Sequence, residues 1–311
     1  MIRITNFYDD PELNRYYEFI TSRRPKDQDI SVIGDKIVKL INRLPRKHSN
    51  GEKISDFEEL LTMDFSKLKK FYNSLDIHSA KYKKIIKRKT NVELLNIYKE
   101  YYTKYFYNID SKIKMRNNMS LIKNLGITVC PYCNRNYINS RKTRSGTTFD
   151  HFYDKNKYQY FALTLGNLVP CCGTCNLIKS TKSYEFCPFD EKSEEVTFRI
   201  SPPGTDSKIE LYFGSNSQTN NILELEEAYN IHQMDVNRMF QKEEEYCIEY
   251  RKRLIDLLSL NNSLDLNISE KFFDTMIYGD IASDSFDNFM NCSLSKLKKD
   301  TYNYIVRLRK N

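Results

Sequence analysis

Two Cys-x-x-Cys pairs are the strongest chemical signal in this chain. Cys130 and Cys133 form the first pair, and Cys172 and Cys175 form the second, about forty residues later. A Cys-x-x-Cys turn presents two thiolates from one tight loop, so two such turns supply the four sulfur ligands of a tetrahedral structural zinc site. The sequence therefore predicts one zinc ion held by these four thiolates.

Two further cysteines lie near these pairs. Cys171 adjoins Cys172, but only Cys172 has the two-residue spacing to Cys175. We therefore expect Cys171 to be a small buried side chain and Cys187 to be at most a spare ligand. A redox centre is the alternative for a Cys-x-x-Cys pair, but two pairs indicate a shared metal and neither follows a clear βαβ pattern.

A group of polar residues lies between and beside the cysteines. The chain's only Asp-His dipeptide is Asp150-His151, Asn167 precedes the second pair, and Asn176 follows that pair directly. An isolated Asp-His dipeptide is usually structural. Its place between two predicted zinc knuckles, with Asn176 where a helix should begin, favours a role in chemistry.

The order of these residues resembles that of a known family. Residues 129–180, about a sixth of the chain, read Cys-x-x-Cys, Asp-His, Asn and Cys-x-x-Cys-Asn-x-x-Lys. This pattern resembles the HNH family of ββα-metal endonucleases. The resemblance implies a ββα core in which His151 is the general base. It also implies that Asp150 and Asn176 hold a catalytic cation, Mg²⁺ or Mn²⁺, through hard oxygen ligands.

The resemblance assigns two further residues. Asn167 matches an asparagine that usually orients the loop and the catalytic histidine. Lys179 lies one helical turn after Asn176 and is placed to touch a phosphate, although a solvated helix lysine is an equally good interpretation. Many members of the family carry His where this chain has Asn176. Asp154 and Asp190 are further candidate acids that no spacing singles out.

The function implied by the resemblance is metal-dependent hydrolysis of phosphodiester bonds in DNA. The sequences Cys-Pro-Tyr-Cys-Asn-Arg-Asn-Tyr and Asp-His-Phe-Tyr are similar to those of bacterial HNH proteins in anti-phage defence. Those proteins include the nuclease partner of an ATPase in Septu-type and some retron systems, so an ATPase partner is implied here. The alternatives are an RNase on the same scaffold and a zinc-dependent module that binds nucleic acid without cutting it.

Charge and composition restrict the possible partners. The net charge is +8 at pH 7, which favours an anionic partner. The most basic segment spans residues 81–115, where Lys84, Lys87 and Arg88 are candidate phosphate contacts; a solvated helix face is the alternative. No apolar run approaches the roughly 18 residues of a membrane span, and the first residues lack a signal-peptide pattern. We therefore expect a cytoplasmic protein without a membrane partner.

Hydrophobic periodicity predicts a mainly α protein with a small α+β module. We expect an N-terminal helical region over residues 1–125, the zinc-stabilised HNH module over 126–190, and a β-hairpin followed by helices over 191–311. The hairpin pairs residues 196–200 with 208–213 across a turn at 202–206. Gly126 is expected to cap a helix that ends at Leu125.

Local signals set individual helix boundaries. Helices are predicted over residues 30–41 and 66–75, with a capping box at Ser55 and Glu58 ahead of a helix between them. A helical segment spans about 221–260 with a break near Asn230 or Asp235, and further helices include residues 264–267 and 294–308.

Overall fold

The computed structural model describes residues 2–22, 29–48, 51–139, 145–193, 196–202, 204, 208–212, 220–259 and 270–310. The α-helices within these ranges are α1 Asp10–Thr21, α2 Ile30–Asn42, α3 Phe57–Thr62, α4 Phe65–Ser74, α5 Ala80–Ile86, α6 Lys89–Tyr105, α7 Asn117–Leu125, α8 Gly173–Lys179, α9 Leu225–Asn230, α10 Gln233–Glu245, α11 Ile248–Ser259, α12 Glu270–Tyr278 and α13 Ser295–Lys310. The strands are β1 Ile109–Asp110, β2 Met115–Arg116, β3 Thr148–His151, β4 Leu168–Cys171, β5 Thr197–Ser201 and β6 Lys208–Tyr212. Short 3₁₀ helices include Gln159–Phe161 and Leu165–Asn167.

The chain divides into two compact units. The first unit contains residues 3–132 and 136–193, and the second contains residues 1–2, 133–135 and 194–311. The predicted boundary near residue 191 lies close to this division. The predicted boundary at 125/126 falls inside the first unit, because N-terminal helices pack against the 3₁₀ helices that lie between β3 and β4.

The helices of the first unit bury apolar residues that recur at helical spacing, and capping residues mark their ends. In α2, Ile33, Ile37 and Ile41 are buried along one face, and the Asp29 carboxylate accepts a hydrogen bond from the Ser31 N–H. An N-cap carboxylate satisfies an otherwise unpaired amide at a helix start. Gly126 has φ +65° and closes α7, as the C-cap prediction requires.

The predicted capping box is shifted by one residue. Asp56, not Ser55, is the N-cap of α3, and its carboxylate accepts from the Glu59 N–H at 2.9 Å. Glu59, not Glu58, reaches back to the Ser55 amide. This register places Phe57, Leu60 and Leu61 in the core, so burial selects between two adjacent residues that can both cap a helix.

Aromatic and hydroxyl side chains attach the N-terminal helices to the loop between β3 and β4. The Tyr16 hydroxyl donates to the Leu163 carbonyl at 2.7 Å, and the Thr164 hydroxyl donates to the Leu60 carbonyl at 2.8 Å. The hydroxyls of Tyr82 and Tyr160 lie 2.9 Å apart. The loop is therefore held by several helices that are distant in sequence.

A small ββα arrangement forms within the first unit. Strand β3 pairs antiparallel with β4, so that Asp150 lies opposite Val169 and His151 opposite Leu168. Helix α8 begins two residues after β4 and packs against β3. The pair β1–β2 was not predicted, since each strand has only two residues.

The second unit contains the predicted hairpin and several helices. Strands β5 and β6 pair antiparallel with alternating buried and exposed residues, which confirms the hairpin. Most of the predicted turn at 202–206 lies outside the described residues, as does the helix predicted over 264–267. The helical segment breaks after Asn230, while Asp235 lies inside α10.

None of the helices in the described parts of the chain is both long enough and apolar enough to cross a bilayer.

Candidate functional site

The four cysteines of the two predicted knuckles form one cluster. The sulfur atoms of Cys130, Cys133, Cys172 and Cys175 all lie within 4.8 Å of one another, and the four residues are buried. Four converging thiols in this arrangement could hold one metal ion such as zinc, with every coordination position filled by protein. Cys171 and Cys187 are buried outside the cluster, and burial raises the pKa of both thiols.

Hydrogen bonds from nitrogen to sulfur support the cluster. The Cys172 amide donates to the Cys130 sulfur at 3.3 Å, and the Cys175 amide donates to the Cys172 sulfur at 3.5 Å. The Asn136 side-chain amide also donates to the Cys172 sulfur, at 3.4 Å. Donors around the sulfurs stabilise thiolate charge, as the outer shell of a metal site does.

A cleft of about 200 Å³ lies beside the end of β3. Three of the predicted site residues line it together, namely Asp150, His151 and Asn176. Asp154 and Lys155 line the same cleft. The structure thus brings together residues that are up to 26 positions apart in the sequence.

The Asp150 carboxylate is held by residues next to each cysteine pair. Tyr132, inside the first knuckle, donates its hydroxyl to Asp150 Oδ2 at 2.8 Å. Lys179, the last residue of α8, places its Nζ 3.1 Å from Oδ1 and 3.0 Å from Oδ2. Burial raises the pKa of Asp150 above its usual value, while Lys179 and Tyr132 act in the opposite direction.

The position of Lys179 differs from the expected one. Its side chain is 1% exposed, and the Nζ also donates to the His151 carbonyl at 3.3 Å. An ammonium engaged in this way is not available on the surface, so neither a phosphate contact nor a solvated lysine describes it. Lys179 instead balances the charge of Asp150.

The His151 ring is fixed in one tautomer. Its Nε2 lies 3.0 Å from the Ala162 carbonyl oxygen, and because a carbonyl only accepts hydrogen bonds, Nε2 must carry the proton. Nδ1 therefore keeps its lone pair. The Tyr102 ring, from α6, meets the imidazole edge to face at 4.4 Å. Burial, with Lys155 and Lys179 nearby, lowers the pKa of His151 to about 3, so the ring is neutral near pH 7.

Asn167 fixes the loop that follows His151. Its side-chain oxygen accepts from the Tyr153 amide at 2.7 Å, and its side-chain nitrogen donates to the Tyr153 carbonyl at 3.1 Å and the Phe161 carbonyl at 3.2 Å. The side chain is fully buried. These contacts fix the backbone at Tyr153 and Phe161, and the buried side chain presents no surface to a substrate.

No spacing in the sequence distinguishes several other residues of this site. Asp154 and Lys155 line the cleft, and Lys99 of α6 donates to the Asn156 side chain at 3.4 Å in the same loop. Aspartates and lysines are common, and only the fold separates these from the others. Asp190, the other candidate acid, instead pairs with Lys69.

The basic residues predicted for nucleic-acid contact lie elsewhere in the first unit. Lys84 is on α5, and Lys87 and Arg88 follow it; all three are exposed. Lys84 and Arg88 line a groove against α2, whereas Lys87 is not among the residues that line it. Contact of these residues with phosphate stays a prediction.

The lining of the cleft contains hard oxygen donors. Asp150, Asp154 and Asn176 offer carboxylate and amide oxygens, the ligands that Mg²⁺ and Mn²⁺ prefer. A carboxylate has about four lone-pair sites, so the contacts with Tyr132 and Lys179 leave acceptor capacity on Asp150. Lys179 nevertheless competes with any cation for the charge of this carboxylate.

No family model matches the chain, and neither a curated protein nor a solved structure is significantly similar to it. The chemistry of the cleft must therefore be inferred from its own geometry.

Proposed function

We propose that this protein is a metal-dependent nuclease that hydrolyses phosphodiester bonds in DNA, with a structural zinc ion in the four-cysteine cluster. The observation that carries the proposal is the state of His151: a neutral imidazole whose Nε2 donates to the Ala162 carbonyl, in a cleft that Asp150, Asp154 and Asn176 also line. A module that binds nucleic acid without cutting it requires neither a histidine held in this tautomer nor oxygen ligands for a cation.

His151 is the general base of the proposed reaction. Its Nδ1 accepts a proton from water as the water oxygen attacks phosphorus and the bond to the 3′ oxygen breaks. A phosphodiester in the cleft brings negative charge next to the imidazole and acts to raise its pKa, whereas a cation bound to Asp150 acts to lower it, so the imidazole stays neutral and able to accept a proton.

Other residues bind and orient the substrate. Asp150 and Asn176 would hold a divalent cation, which when bound neutralises charge on the phosphate and the leaving oxygen. Lys155 supplies positive charge within the lining of the cleft, and Lys99 adds a second positive charge next to the lining residue Asn156. Asn167 keeps the 152–153 segment in place, so the geometry exists before substrate binds.

The test is cleavage of supercoiled plasmid, linear DNA and RNA by wild type, His151→Gln and His151→Ala, with and without Mg²⁺ or Mn²⁺. Gln can still donate to the Ala162 carbonyl but cannot act as a base, so we expect a loss of roughly 10²–10⁴-fold in rate at unchanged zinc content. His78→Ala, an exposed histidine outside the cleft, is the matched control and should retain full activity. Full activity in His151→Gln would defeat the proposal, and preferential cleavage of RNA would change the substrate.

Anti-phage defence and an ATPase partner are further proposals that rest on the sequence resemblance alone. Loss of protection from phage in a host that carries His151→Gln would support the first. Co-purification from the host would test the second.

A further inference from the structure

A groove of about 980 Å³ lies between α2, α5 and the first half of α6. The α2 residues that line it extend from Val32 to Arg43 and recur at helical spacing, so they form one face of that helix. The α6 residues extend from Thr90 to Ile97. All of these belong to the first unit, and the groove is separate from the cleft at His151.

The groove has an aliphatic floor. It is lined by Val32, Ile33, Leu40, Ile85, Leu94 and Ile97. Val32 is 51% exposed and Ile97 is 36% exposed, so apolar surface remains in contact with water. No aromatic side chain is among the residues that line the groove.

The rim of the groove is basic. Lys36, Lys39, Arg43, Lys84 and Arg88 line it, against two acids, Asp29 and Glu93. The five cationic side chains are all exposed. Within the described ranges none of the five forms an ion pair, and the Asp29 carboxylate is engaged at the start of α2. The excess positive charge of the rim therefore lacks a balancing partner among those residues.

We propose that this groove binds an acidic amphipathic helix of a partner protein. Apolar anchors at i, i+3, i+4 and i+7 of such a helix would cover the aliphatic floor, and acidic residues beside them would meet the five bases. The span from Val32 to Arg43 along α2 is about 17 Å, which corresponds to three turns of a docked helix.

The absence of aromatic residues in this lining argues against nucleic acid as the occupant. Single strands bind largely by stacking bases on aromatic rings, and a duplex backbone is recognised by charge and gains nothing from an aliphatic floor. A protein helix uses both features at once. Lys84 and Arg88 are then contacts for a protein partner.

Helix α6 connects the groove to the cleft of the proposed nuclease. Helix α6 lines the groove at Ile97, and its Tyr102 contacts His151. These residues are about 8 Å apart along the helix axis. Binding itself does not depend on the nuclease proposal and can be measured in an inactive variant.

The experiment measures fluorescence anisotropy with a labelled synthetic helix of about 16 residues that has Leu at the anchor positions and Glu elsewhere. Two comparison peptides carry the same composition in scrambled order, or Lys in place of Glu. Protein variants are Lys36→Glu/Lys84→Glu and, for the floor, Val32→Glu. The matched control is Lys81→Glu/Lys83→Glu, which reverses two exposed lysines of α5 that do not line the groove.

We expect the acidic amphipathic helix alone to bind, and each groove variant to weaken binding by at least about tenfold. The control should change the affinity by less than about twofold. Hydrogen exchange should slow in α2, α5 and α6 when the helix is bound. Equal binding of the scrambled peptide, no binding below about 100 µM, or equal loss in the control would overturn the proposal. So would displacement of the peptide by a single-stranded oligonucleotide, which would assign the groove to nucleic acid.

Discussion

The Asp150 carboxylate connects the candidate catalytic cleft to both cysteine pairs. Tyr132 lies between Cys130 and Cys133, and Lys179 ends the helix that begins beside Cys172. Each knuckle therefore places one group on the same carboxylate. A metal bound to the cysteines would fix the backbone from which these two groups extend, so it would position Asp150 without taking part in the proposed reaction.

Tyr132→Phe tests this connection with the loss of one oxygen atom. We expect a loss of about 1–3 kcal/mol in stability, because the hydrogen bond is buried and its acceptor is charged. Cleavage should fall roughly 10- to 100-fold, as for other supporting residues around a metal site. Zinc content, thermal midpoint and cleavage rate are the measurements.

The control for Tyr132 is Tyr137→Phe, since Tyr137 is 56% exposed in the same segment. It should match wild type in every measurement. A Tyr132→Phe protein with unchanged cleavage would remove the positioning role and leave the nuclease proposal intact, because that proposal depends on His151.

Lys179→Met tests the buried ion pair. Removal of one partner leaves the Asp150 charge unpaired and should cost about 3–5 kcal/mol. The double variant Asp150→Asn/Lys179→Met has no unpaired charge and should be more stable than Lys179→Met in a double-mutant cycle from urea unfolding.

The same variant reports whether Asp150 binds a cation. If Asp150 is a ligand, Mg²⁺ replaces the missing positive charge and raises the thermal midpoint of Lys179→Met more than that of wild type. An equal response to Mg²⁺ in the two proteins would exclude Asp150 as a ligand.

At the scale of elements, the cleft depends on close contact between the β3–β4 loop and α4. A Cβ atom on Gly166 would lie 2.6–2.7 Å from backbone atoms of Met63, Asp64 and Phe65, and the Gly166 amide donates to the Met63 carbonyl at 3.0 Å. Gly166→Ala should therefore destabilise the protein by about 1–3 kcal/mol, since backbone must move to admit the methyl group.

Gly173→Ala is the control for Gly166. No atom lies within 4 Å of a Cβ at Gly173, and alanine favours the helix that begins there. Urea unfolding should show equal or higher stability for Gly173→Ala. Equal stability of the two variants would show that the loop adjusts freely.

Helices of the second unit are joined by a network of buried charges. Asp274 of α12 accepts from Arg251 at 3.0 Å, from Arg309 at 2.9 Å and from the Tyr302 hydroxyl at 2.8 Å. Asp274→Ala leaves two guanidinium groups without this partner, so we expect a loss of about 3–5 kcal/mol in unfolding free energy.

Asp284→Ala is the comparison for Asp274. Asp284 forms an exposed pair with Lys271, and an exposed pair contributes little to stability. Its substitution should leave the unfolding free energy unchanged. If Asp274→Ala also left the unfolding free energy unchanged, the result would contradict a stabilising role for the network.

The sequence predicts the elements better than their contacts. Spacing alone selects the four cysteines, the hairpin and the start of α2, because each depends on residues a few positions apart. The contacts of Tyr132 and Lys179 with Asp150, and of Tyr102 with His151, join residues 18, 29 and 49 positions apart. No local pattern marks such pairs, since only the packing of whole helices brings them together.

At the scale of the whole molecule, the N-terminal helices are part of the cleft's architecture. They were expected to form a separate region over residues 1–125, but Tyr16, Leu60 and Tyr102 contact the loop and strand that carry the candidate site. A minimal module that begins near residue 126 would lose these contacts and expose buried aromatic rings. The length of the helical region therefore has a structural reason that is independent of any partner.

The four-cysteine cluster provides the last prediction, which separates a structural metal from a catalytic one. Cys172→Ser should abolish stoichiometric zinc binding, because one of four ligands is lost. The adjacent Cys171→Ser should keep it, since Cys171 lies outside the cluster. Loss of the metal should also lower the free energy of unfolding, and each kcal/mol lost lowers the thermal midpoint by about 2–4 °C in a domain of this size.

In Cys172→Ser both zinc content and cleavage should fall, and cleavage should not return on addition of Mg²⁺, whereas His151→Gln should keep its zinc but lose cleavage. The two variants thus fail in different measurements if the protein uses two metals for two purposes. Equal zinc content in Cys171→Ser and Cys172→Ser, measured by atomic absorption, would overturn the assignment of the cluster.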